Sequence, residues 1–203
     1  VLVVAAEDYS GTSPDYARRD GPSYLEDYVE ALEASGIAAD VYDVDAHGRV
    51  APSPLGVLGH YRAVIWYTGD NVVTRAPGMP SGTISRLARD TMLAMRDYLN
   101  EGGRLLYAGR YAATEYFGAY EYDPELDEPC DPDDGGDGCE PLSNDFAQYY
   151  LGVNALNDDG GTRATGRLHP VVGTGPPFEG LAIEFEEPAT GRPDHSNVLR
   201  ATS

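Results

Sequence analysis

The chain has no lysine. All 14 of its basic residues are arginine, and they stand against 34 aspartates and glutamates, a formal net charge of −20 over 203 residues. Such a surface repels phosphate, so neither nucleic acid nor an anionic membrane is expected as a partner. No apolar run reaches the ~18 residues of a membrane-crossing helix, so no membrane span is expected either. The start lacks the basic, apolar and small-residue regions of a signal peptide. Val1 already lies inside a strand pattern with no initiator Met, as expected of a piece cut from a longer precursor.

Histidine is sparse and dispersed. His47, His60, His169 and His195 stand apart from one another and from cysteine, and none has His-x-x-His, His-x-x-Glu or His-Glu-x-x-His spacing. Local sequence therefore offers no zinc site, and packing or loop roles suit these side chains. Only two cysteines occur, Cys130 and Cys139, flanking a short acidic loop. That spacing allows a disulfide without long-range folding, which favours an exported protein; two free cytosolic thiols are the alternative.

What is present suits one globular domain spanning residues 1–203, with 41% hydrophobic and 24% charged residues. Val1 to Ala6 is a continuous apolar run, the pattern of a central parallel strand buried on both faces. Leu25, Tyr28, Val29 and Leu32 are spaced as a helix from Pro22 to Ser35 that Gly36 stops. Asp40 to Asp45 reads as a peripheral strand, Leu55 to Leu58 as a short helix, and Ala63 to Tyr67 as a third strand. A long helix follows from Thr83 to Asn100, its stripe formed by Ile84, Leu87, Ala88, Met92, Met95, Tyr98 and Leu99. Gly102-Gly103 ends it, and Arg104 to Ala108 is the fourth strand.

Strands alternating with helices imply right-handed crossovers and a mainly parallel sheet. The expected fold is α/β, a three-layer sandwich of flavodoxin-like or Rossmann-like type. Beyond Ala113 the pattern changes. Residues 123–143 are acidic and rich in Pro and Gly, which predicts a surface excursion rather than a packed element. Phe146 to Leu151 reads as a short helix capped by Asn144 and ended by Gly152. Leu168 to Val172 and Leu181 to Phe185 read as extra strands near the C-terminus, and Val198-Leu199 as a last pairing.

In parallel α/β sheets ligands gather at the carboxyl ends of the strands. Those ends hold Glu7, Asp8, Tyr9, Asp70, Asn71, Arg110, Tyr111 and Glu115, the candidate ligand-binding rim. Arg110 is the lone cation of this set. One reading is a polar pocket, and the other is an arginine neutralising carboxylates within the scaffold. A phosphate cradle is disfavoured, because the loop after the first strand is acidic and not Gly-rich.

The loop between the cysteines crowds Asp131, Asp133, Asp134 and Asp137 among glycines. Calcium takes oxygen ligands from such loops, yet the EF-hand order fails, with Leu142 where a bidentate Glu belongs. A structural calcium and a solvated, disulfide-closed loop are the two readings.

The turn after the fourth strand carries the main exclusion. Class I glutamine amidotransferases and related hydrolases place Cys or Ser in a strained turn at this point. Here it reads Tyr107-Ala108-Gly109-Arg110-Tyr111, with neither. Covalent catalysis needs an activated nucleophile, and none stands there.

The blocks VLVVAAEDYSG, YDVD, LGVLGHYRAVIWYTGDN, MRDYLNEGGRLLYAGR and DFAQYYLG resemble the region downstream of the peptidase unit in large secreted zinc carboxypeptidases of actinobacteria. The resemblance covers most of the chain to Gly152 and is weaker beyond. It implies a secreted parent with zinc in a separate peptidase domain, and an amidotransferase-like fold here that lacks its nucleophile. That family's peptidase uses a His-x-x-Glu pair, a distant His and a Glu general base. This chain has no His-x-x-Glu, so none of those roles transfers to it.

The expectation is thus a non-catalytic accessory or binding domain without a cofactor of its own. Its partners would be the neighbouring peptidase domain and peptide or cell-surface material. The alternative is an independent small-molecule hydrolase or lyase, with Asp8, Asp70 or Glu115 as general base and Arg110 holding an anionic substrate.

Overall fold

The computed structural model describes residues 1–11, 19–71, 86–110, 112, 121–123, 128–129, 140–141, 146–157, 161–162, 167–168, 170–173, 175–176, 178–184 and 198–201. At its centre are four parallel strands: β1 (Leu2–Ala5), β2 (Asp40–Asp43), β3 (Val64–Tyr67) and β4 (Leu105–Ala108). They lie in the order β2-β1-β3-β4. Helix α1 (Leu25–Ala34) falls between β1 and β2, and α2 (Arg86–Asn100) between β3 and β4. The α/β class and the parallel sheet match the sequence expectation.

Every residue of β1 is buried, and the pleat sends them alternately to two sides. Leu2 and Val4 join Val64, Trp66 and, from α2, Leu87, Met92, Met95 and Tyr98. Val3 and Ala5 instead meet Tyr67 and the half-buried Leu25, Tyr28 and Leu32 of α1. Helices therefore pack on both faces of the sheet, which is why β1 has no polar position.

The two faces are unequal. α2 buries Leu87, Ala88, Thr91, Met92, Ala94, Met95 and Tyr98, whereas α1 buries no residue fully. Truncating Met95 would remove roughly 2–5 kcal/mol, the usual cost of a large-to-small change in a packed core. On the α1 side, Val41 of β2 and Leu106 of β4 stay exposed.

Both helices end the same way. Gly36 and Gly102 take left-handed φ values of 71° and 83°. The amides one residue further on, of Ile37 and Gly103, reach back to Leu32 O and Tyr98 O. These 6→1 bonds satisfy carbonyls the helix leaves open. Gly103 also makes room for an aromatic ring, since a Cβ there would lie 2.3 Å from the Tyr98 side chain. The Tyr98 hydroxyl donates to Tyr61 O at 3.0 Å and accepts from Arg104 N at 3.3 Å, so the ring is held on several sides.

Several boundaries differ from the sequence reading. α1 starts at Leu25 rather than Pro22, because the amides of Ser23 and Tyr24 are taken up by Glu7 from the end of β1. The short helix expected at Leu55 to Leu58 is a 3-10 turn at Leu58–His60. Phe146–Tyr150 is a π-helical turn, closed by Leu151 N to Phe146 O, and Gly152 ends it with φ 68°.

The acidic excursion contains paired backbone. β5 (Glu121–Asp123) pairs antiparallel with β6 (Glu128–Pro129) and β7 (Glu140–Pro141). Composition argued against a packed element there, not against backbone pairing; proline is tolerated on an edge strand, and both prolines lie in the two outer strands of this small sheet.

β8 (Val153–Asn157), which the sequence reading missed, pairs through its backbone with the terminal β13 (Val198–Ala201). Between them lie β9 (Gly161–Thr162) with β10 (Arg167–Leu168), and β11 (Val171–Val172) with β12 (Ala182–Ile183), all antiparallel pairs outside the main sheet.

Gly103→Ala should destabilise the fold by about 1–3 kcal/mol, the cost of overpacking a fixed neighbour. Urea denaturation of Gly103→Ala, Tyr98→Ala and the double variant checks the cause. Clash with the ring predicts that Gly103→Ala costs almost nothing once Tyr98 is alanine.

Candidate functional site

The order β2-β1-β3-β4 reverses direction at β1, since the chain leaves it first toward β2 and then returns to its other side for β3. The crevice beyond the carboxyl ends of β1 and β3 is where such sheets bind ligands. An open cleft of about 260 Å³ lies there, lined by Glu7, Asp8, Tyr9, Arg19, Ser23, Asp70 and Asn71. Its enclosed part has room for no more than about one water molecule.

Glu7 is buried and aims at the start of α1. Oε2 accepts from Ser23 N and Oε1 from Tyr24 N, both at 2.9 Å. Tyr24, the residue before the helix, offers no side-chain cap. A carboxylate from the end of β1 thus takes up the amides of the residue before the helix and of the one preceding it, at the helix end where the dipole favours negative charge. Helix α1 is thereby fastened to the central strand.

The rest of the rim is similarly engaged. Asp8, also buried, accepts from Gly11 N through Oδ1 at 2.9 Å and closes its own turn. The Tyr9 hydroxyl donates to Asp43 Oδ2 at 3.0 Å, and Ser10 N donates to Asp45 Oδ2 at 2.7 Å. Asp70 Oδ2 accepts from the Tyr24 hydroxyl at 2.6 Å, while Arg110 Nη1 stands 3.8 Å from Asp70 Oδ1. Asn71 Nδ2 donates to Ala6 O at 3.4 Å. Arg19 donates to Ser23 Oγ at the cleft mouth.

A buried ion pair adjoins the Glu7 backbone. Arg49 Nη1 lies 3.2 Å from Asp45 Oδ1, and the two side chains are 5% and 1% exposed. The same nitrogen donates to Glu7 O at 3.4 Å. Arg49 has φ 62°, the left-handed region that a branched or bulky residue rarely enters. Breaking such a pair leaves a buried charge uncompensated.

The turn after β4 is tied to the turn after β3. Thr68 N donates to Ala108 O at 2.9 Å, and Arg110 N to Gly69 O at 2.8 Å. A Cβ on Gly109 would sit 2.0 Å from Thr68 Oγ1, so glycine is needed for the two turns to meet.

Acidic surroundings act on the tyrosines. Burial, the Asp43 hydrogen bond and the Asp43 and Asp45 charges push the Tyr9 hydroxyl up to about 12, partly offset by Arg49. Tyr24 is raised by burial, by its bond to Asp70 and by the charges of Asp70 and Glu7. Burial and the nearby Glu7 carboxylate raise Tyr67 as well.

Of the residues singled out in the sequence, the structure brings Glu7, Asp8, Tyr9, Asp70 and Asn71 to one cleft and sets Arg110 beside Asp70. Tyr111, Glu115, Cys130, Cys139, Asp131, Asp133, Asp134 and Asp137 lie outside the described residues, as do His169 and His195. Arg110 is not the lone cation of the region, because Arg19 and Arg49 share it. Sequence reasoning missed Arg19, Ser23, Tyr24, Asp43, Asp45 and Arg49. Of these only Asp43 and Asp45, the acids of a strand end, carried a readable signal. His47 Nδ1 lies 2.7 Å from Asp43 O, and its ring stacks on Tyr42 with centroids 4.2 Å apart, a packing role.

Compared with protein-family models, with curated proteins and with solved structures, the chain matches none.

Two outcomes follow from this geometry. Glu7→Ala should cost about 2–3 kcal/mol, since charge-assisted hydrogen bonds to two otherwise open amides are lost. Arg110→Ala should cost less than about 1 kcal/mol, as expected of a partly exposed pair. Chemical denaturation measures both, and hydrogen exchange should show lost protection at the start of α1 in Glu7→Ala alone.

Alkaline pH provides the other outcome. A hydroxyl held at about 12 against 10.0 when unfolded keeps its proton more tightly in the folded state. Its stabilising contribution is whole below pH 10 and disappears as the pH rises toward 12. Tyr9→Phe should therefore flatten the fall in stability across that window.

Proposed function

We propose that this chain is a non-catalytic accessory domain of a secreted zinc carboxypeptidase, with a flavodoxin-like, class I amidotransferase-like fold that has lost its nucleophile. The observation that carries this reading is the employment of the strand-end acids. Glu7 caps α1, Asp8 closes its own turn and Asp70 takes up Tyr24, where a hydrolase would keep a base open to substrate. General-base catalysis needs a carboxylate within hydrogen-bond reach of a substrate proton.

The turn after β4 supports the same view. The turn that would present Cys or Ser holds Gly109 and Arg110 and is bonded to the neighbouring turn through Gly69. The strand order β2-β1-β3-β4 is the one a flavodoxin-like sheet begins with. In this reading zinc belongs to the peptidase domain of the parent protein, and the present domain packs on that neighbour or gathers peptide or cell-surface material for it.

The test compares the parent peptidase with a version lacking residues 1–203, on polymeric and on small substrates. Loss on the polymer, or lowered stability or altered localisation, supports an accessory role; identical behaviour in all respects removes it. In parallel, the isolated domain should turn over no member of an amide, ester and glycoside panel. Turnover that disappears in Asp70→Asn and Arg110→Ala would establish an independent hydrolase or lyase instead.

A further inference from the structure

The hairpin of β11 and β12 exposes apolar side chains on both of its faces. Val171 stands opposite Ile183, and Val172 opposite Ala182. Because side chains alternate along a strand, Val171, Ile183 and Leu181 share one face, and Val172 with Ala182 the other. Val171, Val172, Phe178, Leu181 and Ile183 are each between 40% and 65% exposed. A solvated antiparallel pair ordinarily has one polar face. This one has none.

The hairpin is nonetheless a defined element. Gly173 N donates to Leu181 O at 2.8 Å, Phe178 N to Gly175 O at 2.7 Å, and Leu181 N to Phe178 O at 3.0 Å. Apolar surface concentrated in this way marks an interaction site. Two strands alone are marginal in water, so the element gains most by being gripped on both sides.

Charge decides what could grip it. Between Arg167 and Arg192 the chain holds Glu179, Glu184, Glu186 and Glu187 and no lysine or arginine. A second copy would bring the same glutamates and the same overall charge of −20 against them. An anionic bilayer is repelled likewise. We infer that this hairpin is a docking element that inserts into an apolar slot with a basic, Lys- or Arg-bearing rim on a different protein. The inference does not depend on whether the strand-end cleft is catalytic, since none of its residues lines that cleft.

Three synthetic peptides test it on the full 203-residue chain by isothermal titration: alternating leucine–lysine, alternating leucine–glutamate and alternating serine–lysine. The leucine–lysine peptide should bind, more weakly at high salt, and the Val172→Ser/Phe178→Ser double variant should bind it at least ~10-fold more weakly. The other two peptides should bind far less. Equal binding of the serine–lysine peptide, or by the double variant, would overturn the proposal, because the attraction would then be charge alone or lie elsewhere.

Three controls can also overturn it. Sedimentation showing a dimer that the double variant abolishes would make the occupant a second copy. Binding to phosphatidylcholine vesicles lost in the double variant would make it a lipid surface. A melting temperature lowered by several degrees in the double variant would mean that the hairpin packs on its own chain.

Discussion

The architecture around the cleft depends on one carboxylate. Glu7 follows the central strand, and its two oxygens hold the amides of Ser23 and Tyr24, the two residues that lead into α1. That helix buries no residue fully, so its attachment to the sheet relies on Leu25, Tyr28 and Leu32 packing at the edge of the core and on this cap. On its other side Glu7 is backed by Gly69, where a Cβ would come within 2.7 Å of its side chain. One acidic group therefore sets the spacing of β1, α1 and the turn after β3.

The same arrangement bears on function. In nucleotide-binding α/β folds the N-terminus of the helix after β1 receives a phosphate, because open amides and the helix dipole favour an anion. Here the chain supplies its own anion at that place. A further negative group would meet Glu7, Asp8 and Asp70 together, on a surface already at −20. The same carboxylate that takes up the amides before α1 thus also disfavours a phosphate at that helix end.

How much of this was legible in the sequence differs from element to element. The four strands and two helices were readable because burial on both faces leaves an uninterrupted apolar run, as in Leu2 to Ala5, and burial on one leaves a 3.6-residue stripe, as in α2. Glu7, Asp8, Asp70 and Asn71 could be placed at strand ends from the βα alternation alone. What they do there could not. The cap of α1 comes from 16 and 17 residues upstream of the amides it serves, a long-range bond that leaves no local pattern. Arg49 was hidden for a related reason, since a solvent-facing arginine after Gly48 looks the same in sequence as one buried on Asp45.

The region beyond β4 marks the other limit of sequence reading. Acidic, Pro- and Gly-rich composition argues against a packed core, but it does not argue equally against secondary structure. The two are separable. β5, β6 and β7 pair through backbone bonds in segments of two or three residues, which needs no apolar face. The hairpin of β11 and β12 shows the converse, an apolar pattern whose side chains stay in water. Composition reports what a segment can bury, whereas hydrogen bonding reports what it can pair, and in this chain the two diverge once the four-stranded sheet is complete.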